Sequence, residues 1–239
     1  MLPGERIDDL IIHNMKIIQH DEEFRFSLDA VLLAHFATVK PGAKAVDLGT
    51  GTGVIGLLLL ARGAGFVSGV EINQRVAAMA ERSVALNGLA DKMMIVSADL
   101  RMIERELPAG QCDLVTANPP YRPVGQGQMN PNDSLAIARH EVQATLRDVI
   151  AAAKYLVKFR GRFAMIHLPE RMAEILTLMS NTGVEPKRLQ LVYPKVGSKP
   201  TMLLVEGVLG AKPGLEVLPP FIIYHQDGTY TDAVMAYYK

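Results

Sequence analysis

At 239 residues, 49% hydrophobic and 21% charged, the chain has a folded composition, long enough for one α/β domain with a substantial core, and extended disorder is excluded. Lys plus Arg and Asp plus Glu each count 25, so there is no global basic field, and a nucleic-acid partner would have to be held by a local patch. The single cysteine, Cys112, excludes an internal disulfide framework and a cysteine-based zinc cluster and points to a reducing compartment. The N-terminus, MLPGERIDDL, has no apolar core of the signal type, and the longest apolar run, Val54 to Ala61, falls far short of the ~20 residues that span a bilayer. A cytoplasmic protein without membrane association is expected.

In chain order, the alternating stretch LIIHNMKIIQ reads as a small hairpin or extended lead. In FSLDAVLLAHFATV, Leu28, Val31, Leu32 and His35 or Phe36 recur at helical spacing behind Ser27 as the cap, and Pro41-Gly42 ends that helix. Residues 1–40 are thus expected to form a lead and helix packed on a core spanning 41–239, in one compact body. From there strand-like runs alternate with helical patterns: KAVDLG, a helix from Val54, FVSGVEI, a helix Gln74 to Leu86, MMIVSAD and a short amphipathic piece. CDLVTAN, a loop, a helix from about Ile137 to Val157, GRFAMIHL and a helix Glu170 to Met179 follow. The near-continuous apolar strands call for a parallel sheet covered on both faces. The last two strands, in RLQLVYP and TMLLVEGVL, are separated by too few residues for a crossover helix and must pair antiparallel. The expected architecture is α/β: seven strands, mostly parallel, ending in an antiparallel hairpin, the layout of the Rossmann-like class I methyltransferases. No internal repeat or low-complexity segment is present.

DLGTGTGVIG follows the first strand of this sheet and opens a helix. Gly49, Gly51 and Gly53 allow positive φ and close approach of a bound group, and the helix start beyond them offers free amides. The spacing of Gly51, Gly53 and Gly56, with Glu71 twenty residues after Gly51, also fits the dinucleotide fingerprint and by itself favours neither cofactor. Asp47, able to meet the amino end of a methionine moiety, and Asp99, ending the third strand where an adenine amino group would lie, tip the reading to S-adenosyl-L-methionine. As helix-capping or loop acids, Asp47 and Asp99 would carry no such meaning.

The fourth strand stops on Asn118, Pro119, Pro120 and Tyr121, at the switch point where open parallel sheets bind ligands. An aromatic exocyclic amine is a poor nucleophile until its N–H groups are held by acceptors. Asn118 offers a side-chain oxygen and Pro119 its backbone carbonyl, with Pro120 stiffening the turn and Tyr121 presenting a stacking face. Taken alone, the tetrad also fits a rigid surface turn with a core tyrosine. Downstream, RPVGQGQMNPNDS reads as a mobile flap, with Arg122 placed for phosphate or for the flap itself. Residues 154–199 hold nine basic residues against three acids, and Lys195 and Lys199 in PKVGSKP are candidates for phosphate contact, although solvated helix faces would give the same excess. The six histidines lack metal-ligand spacing, His35 and His167 read as buried or capping, and no metal is expected.

NPPY after a strand, downstream of DLGTGTG, resembles motif IV of the amino-methyltransferases acting on adenine N6, cytosine N4, guanine N2 or a protein glutamine amide. DDLIIHNMKIIQHDEEFRFSLDAVLLAHFA and PPFIIYHQDGTYTDAVMAYY extend the resemblance over essentially the full length, to the bacterial tRNA1(Val) adenosine-37 N6-methyltransferases and particularly their Gram-positive-type members. The resemblance implies an RNA substrate, tRNA above all, and places Phe26 and Asp29 near the methionine end of the cofactor, outside the catalytic set. An extruded anticodon-loop adenosine fits such a clamp. A monomer or weak homodimer is expected. The competing readings are an amino-methyltransferase of ribosomal RNA guanine or a release-factor glutamine, a non-catalytic cofactor- or RNA-binding module, and nicotinamide-dependent redox chemistry.

Overall fold

The computed structural model describes residues 1–10, 12–20, 28–120 and 144–238. Phe26, the Ser27 cap, Tyr121, Arg122 and the proposed flap lie outside the described residues.

The lead is a hairpin. Strands β1 (Glu5–Asp9) and β2 (Lys16–His20) pair antiparallel, and helix α1 (Leu28–Phe36) follows with seven of its nine residues buried. Five parallel strands come next in the chain: β3 (Lys44–Leu48), β4 (Phe66–Glu71), β5 (Met93–Ser97), β6 (Cys112–Ala117) and β7 (Val157–His167). Helices α2 (Val54–Ala61) and α3 (Gln74–Leu86) connect the first three, and α4 (Leu146–Leu156) leads into β7. Of the helix expected from about Ile137 to Val157, the part before residue 144 lies outside the described residues. Thr145 and Asp148 form a capping box, each side chain bonding the other's backbone, which sets the start of α4 at Leu146.

After α5 (Met172–Asn181), β8 (Val184–Tyr193) and β9 (Met202–Leu209) form the antiparallel hairpin, with β9 inserted between β7 and β8. The sheet order is β8-β9-β7-β6-β3-β4-β5, the expected seven strands. Among the described residues the sheet nevertheless has nine, because two short strands, β10 (Glu216–Val217) and β11 (Phe221–Ile222), pair parallel with the outer edge of β8. Two residues each are too few for sequence alternation to reveal them, and they blunt an otherwise open edge. A last helical turn, α6 (Asp232–Met235), follows.

The core lies on both faces of the sheet. On one face α1 and α2 pack with β3, β7 and β9, burying Leu32, Leu33, Leu57, Leu58 and Leu59; on the other, α4 covers β6 and β7 and α5 covers β8, through Ile150, Leu156, Phe163 and Met179. Each fully buried Leu or Phe contributes about 1.5–3 kcal/mol. Cys112, free and buried at the start of β6, has its thiol pushed up to about 11 by burial and then by the Asp113 charge. Among the described residues no helix is long and apolar enough to cross a membrane.

Two polar attachments fix the lead to this core. The hairpin docks on α3, where Ile18 N donates to Ser83 Oγ (3.0 Å), Lys16 N donates to Asn87 Oδ1 (2.8 Å), and the Arg82 guanidinium clasps Glu5 at 2.6 and 2.7 Å. At the far end of α1, the fully buried Glu206 of β9 accepts from Thr38 N (2.7 Å), Thr38 Oγ1 (2.8 Å) and Arg162 (2.7 Å), with Arg188 at 3.4 Å. Arg188 also lies over the Phe36 ring, 4.8 Å from its centroid, and Arg62 donates to the carbonyls of Ala34 in α1 and of Ala37 just beyond it. Removing the shared carboxylate takes the ion-pair partner from two guanidiniums at once, and among the described residues only Arg188 keeps other bonds, to Thr38 Oγ1 and Phe36 O. Glu206→Ala is expected to cost on the order of 3 kcal/mol, more than either Arg162→Ala or Arg188→Ala, in urea denaturation.

Candidate active site

The chain runs outward from β3 to β4 to β5 and then returns to the other side of β3 as β6, so the sheet order reverses between β3 and β6. A crevice at the carboxyl ends of such strands is where open α/β sheets bind ligands.

The turn after β3 takes its shape from glycine. Gly49, Gly51 and Gly53 have φ of +69°, +57° and +93°, and a Cβ on Gly49 or Gly51 would meet nothing within 4 Å. Backbone conformation is therefore the constraint, and the space above the turn is open for a ligand to approach the chain closely. Gly53 caps α2 without any side-chain bond. Gly56 works differently: a Cβ there would press on Met93 at 2.4 Å, so this glycine lets α2 sit against the sheet.

Asp47, the acid before the glycines, has no exposed surface. Its Oδ2 accepts from Thr50 Oγ1 and its Oδ1 from Thr116 Oγ1, each at 2.7 Å, which ties the turn to β6. Burial pushes the carboxyl up to about 7; the two hydroxyl bonds oppose this and the Glu71 charge adds to it. Glu71, ending β4, accepts from Gly51 N at 3.0 Å and Asn73 N at 2.9 Å, so a second carboxylate grips the same turn. Asp99, after β5, caps the helical turn Leu100–Arg105 by accepting from Arg101 N (2.9 Å) and pairs with the Arg101 guanidinium, which holds its carboxyl below the usual range.

Asn118 sits at the carboxyl end of β6, partly buried, followed by a partly exposed Pro119 and an exposed Pro120. Its Nδ2 donates to Asp29 Oδ2 of α1 at 3.1 Å. The structure thus brings Asp47, Gly49, Gly51, Gly53, Glu71, Asp99 and Asn118 to one edge of the sheet, with Asp29 against Asn118. β8 runs parallel to β7, which puts the loop bearing Lys195 and Lys199 on this same edge, about 14 Å from β6 at ordinary strand spacing. Lys195 Nζ donates to Gln226 O at 3.1 Å, and Lys199 is exposed.

Of the other basic residues of 154–199, Arg171 follows the carboxyl end of β7 on this same edge, whereas Lys158, Arg160 and Arg162 lie in the first half of β7. Lys158 pairs with Asp113, Arg162 and Arg188 with Glu206, and Arg171 with Glu174, so four of the nine are in ion pairs. His167 is buried and its Nδ1 accepts from Leu168 N (2.7 Å); His35 stacks on Tyr237 at 4.1 Å. No group of His, Cys, Asp and Glu among the described residues is arranged to hold a metal. Sequence reasoning missed Thr50 and Thr116. The second had a signal, as a hydroxyl inside the apolar run Leu114–Ala117 must find a buried partner.

A family model described as Methyltransferase small domain matches residues 28–167. A tRNA1(Val) (adenine(37)-N6)-methyltransferase of Aeromonas hydrophila is 26% identical over 219 residues, covering 90% of this chain and 89% of its own; one of Bacteroides fragilis is 25% identical over 189 residues, covering 79% of each. The fold is that of a crystal structure of a predicted O-methyltransferase from Agrobacterium tumefaciens (TM-score 0.70, 24% identity, 88% of this chain and 95% of that one). It is also that of geranyl diphosphate C-methyltransferase from Streptomyces coelicolor (TM-score 0.56, 14% identity, 75% and 77%).

The Asp47 carboxyl gives a pH signature. Its folded value is raised, so between the ordinary 3.8 and about 7 the folded chain keeps a proton that the unfolded chain has released, and stability falls as pH rises through that window. Asp47→Asn lacks this dependence. Its melting temperature should gain on that of the unsubstituted protein as pH rises from about 4 to about 7; a difference constant with pH would show that the carboxyl titrates in the ordinary range.

Proposed function

Because the chain belongs to the methyltransferase small domain family, we propose that it methylates the N6 amine of an adenosine in RNA, and specifically adenosine 37 in the anticodon loop of a tRNA. It is an S-adenosylmethionine-dependent methyltransferase with the α/β methyltransferase fold. The cofactor supplies an electrophilic methyl on sulfur. The observation that carries the finer reading is Asn118, at the carboxyl end of β6 beside the glycine turn, followed by two prolines and Tyr121.

In this reading the glycine turn, held from beneath by Asp47, receives the methionine end of the cofactor. Glu71 takes the ribose hydroxyls and Asp99 the adenine amino group. The acceptor amine gives one N–H to Asn118 Oδ1 and one to the carbonyl of Pro119, so its nitrogen gains electron density as it attacks. With the cofactor bound, that nitrogen would take the methyl as the C–S bonding pair left with sulfur in a neutral thioether, and the amine's spare proton would pass to solvent. Pro120 stiffens the turn, Tyr121 stacks on the extruded base, and Arg122, Lys195 and Lys199 meet phosphates. The names of the relatives support tRNA as substrate. The resemblance to Gram-positive-type members belongs to the same proposal.

The test is transfer from labelled S-adenosylmethionine to unmodified bulk tRNA, followed by nucleoside mass spectrometry. N6-methyladenosine confined to tRNA is expected. No incorporation despite cofactor binding would discard tRNA as acceptor and direct the search to ribosomal RNA and protein amides. Asn118→Ala should cut turnover by at least about 100-fold with cofactor affinity retained; parallel loss of cofactor binding would reassign that residue. Lys195→Ala and Lys199→Ala should each raise KM for tRNA and flatten its salt dependence by about one counterion.

A further inference from the structure

An asparagine side chain has two faces of opposite character, an oxygen that accepts and an NH2 that donates. Which of them meets an amine decides whether the residue draws on an N–H bond or sets donor against donor. At Asn118 the neighbour decides. The Asp29 carboxylate lies 3.1 Å from Asn118 Nδ2, and a carboxylate accepts without donating. The opposite orientation would face oxygen against oxygen, leaving the NH2 without this acceptor.

The carboxylate is itself well held. Asp29 is 5% exposed, in the first turn of α1, where a negative charge is favoured by the helix dipole, and its Oδ1 accepts from Ala30 N at 2.9 Å. The other end of α1 is clamped by Arg62, Arg188 and the Glu206 cluster. Asp29 thus reaches β6 from a helix with little freedom to shift. We infer that Asp29 is a positioning residue, which fixes the Asn118 amide with its oxygen turned away from α1 and toward the acceptor amine. It need touch neither substrate nor cofactor to do so. This inference rests on the reading of Asn118 as a clamp for an amine.

Asp29→Ala, Asp29→Asn and the unsubstituted protein should be compared under single-turnover conditions with saturating S-adenosylmethionine and tRNA. Cofactor affinity should be measured by titration, and the Asn118 side-chain amide by NMR, assigned through its absence in Asn118→Ala. The Ala variant should lose roughly 10- to 100-fold in transfer rate while KM for tRNA and cofactor affinity stay unchanged, and its Asn118 amide protons should lose the shift imposed by the carboxylate. Asp29→Asn, whose own oxygen can still accept, should recover part of both. A tether without a positioning role would lower the melting temperature and leave the rate per folded molecule as it was, which would overturn the inference. So would a loss of cofactor affinity in step with the rate. If the unsubstituted protein methylates no RNA, the proposed function fails by itself, and the NMR comparison, which needs no acceptor, decides whether Asp29 sets the amide.

Discussion

The site depends on one buried carboxylate. Asp47 lies where β3 gives way to the glycine turn and accepts one hydroxyl from that turn, Thr50, and one from the adjacent strand, Thr116. Burying an acid without exposed surface costs several kcal/mol unless its oxygens are satisfied, and here two hydroxyls satisfy them. The geometric return is that the glycine turn and the strand leading into Asn118 are held together. Glu71 reinforces the joint by accepting the Gly51 amide, so neighbouring strands grip the same three-glycine loop from two sides.

A second joint brings α1 into the site. The helix is fixed at its last turn by guanidinium-to-carbonyl bonds and by the Glu206 cluster, and at its first turn Asp29 meets Asn118. A segment that precedes the sheet in sequence therefore comes to lie against the carboxyl end of β6. The family match begins at residue 28, the first residue of this helix, so α1 falls within the matched unit rather than in an appended lead.

How much of this the sequence disclosed varies with the physics involved. The parallel strands were legible because burial on both faces writes them as apolar runs, and α3 was legible to the residue because Asn73 caps it and the pattern stops at Leu86. The hairpin followed from a loop too short for a crossover. The glycine turn declared itself through residues that alone tolerate its φ values. The capping box that starts α4 at Leu146 was not read, because helical periodicity alone does not mark a Thr145 and Asp148 pair as a cap. The two short edge strands pair through backbone alone and leave no pattern. The basic run left phosphate contact and solvated faces both open because counting sequence neighbours gives no placement, and successive strands and helices carry Lys158 and Lys195 to opposite edges of the sheet. The Asp29 to Asn118 bond joins residues 89 positions apart, which no local pattern could have announced.

The position of Cys112 has a practical consequence. It is the only thiol in the chain, it is buried at the end of β6 remote from the crevice, and its raised titration leaves almost no thiolate near neutral pH. A cysteine introduced at Val196, 70% exposed on the loop beside Lys195, would meet a maleimide dye with little competition from the native one. The proposed approach of RNA to the carboxyl edge of the sheet can then be tested by fluorescence on an otherwise unaltered chain.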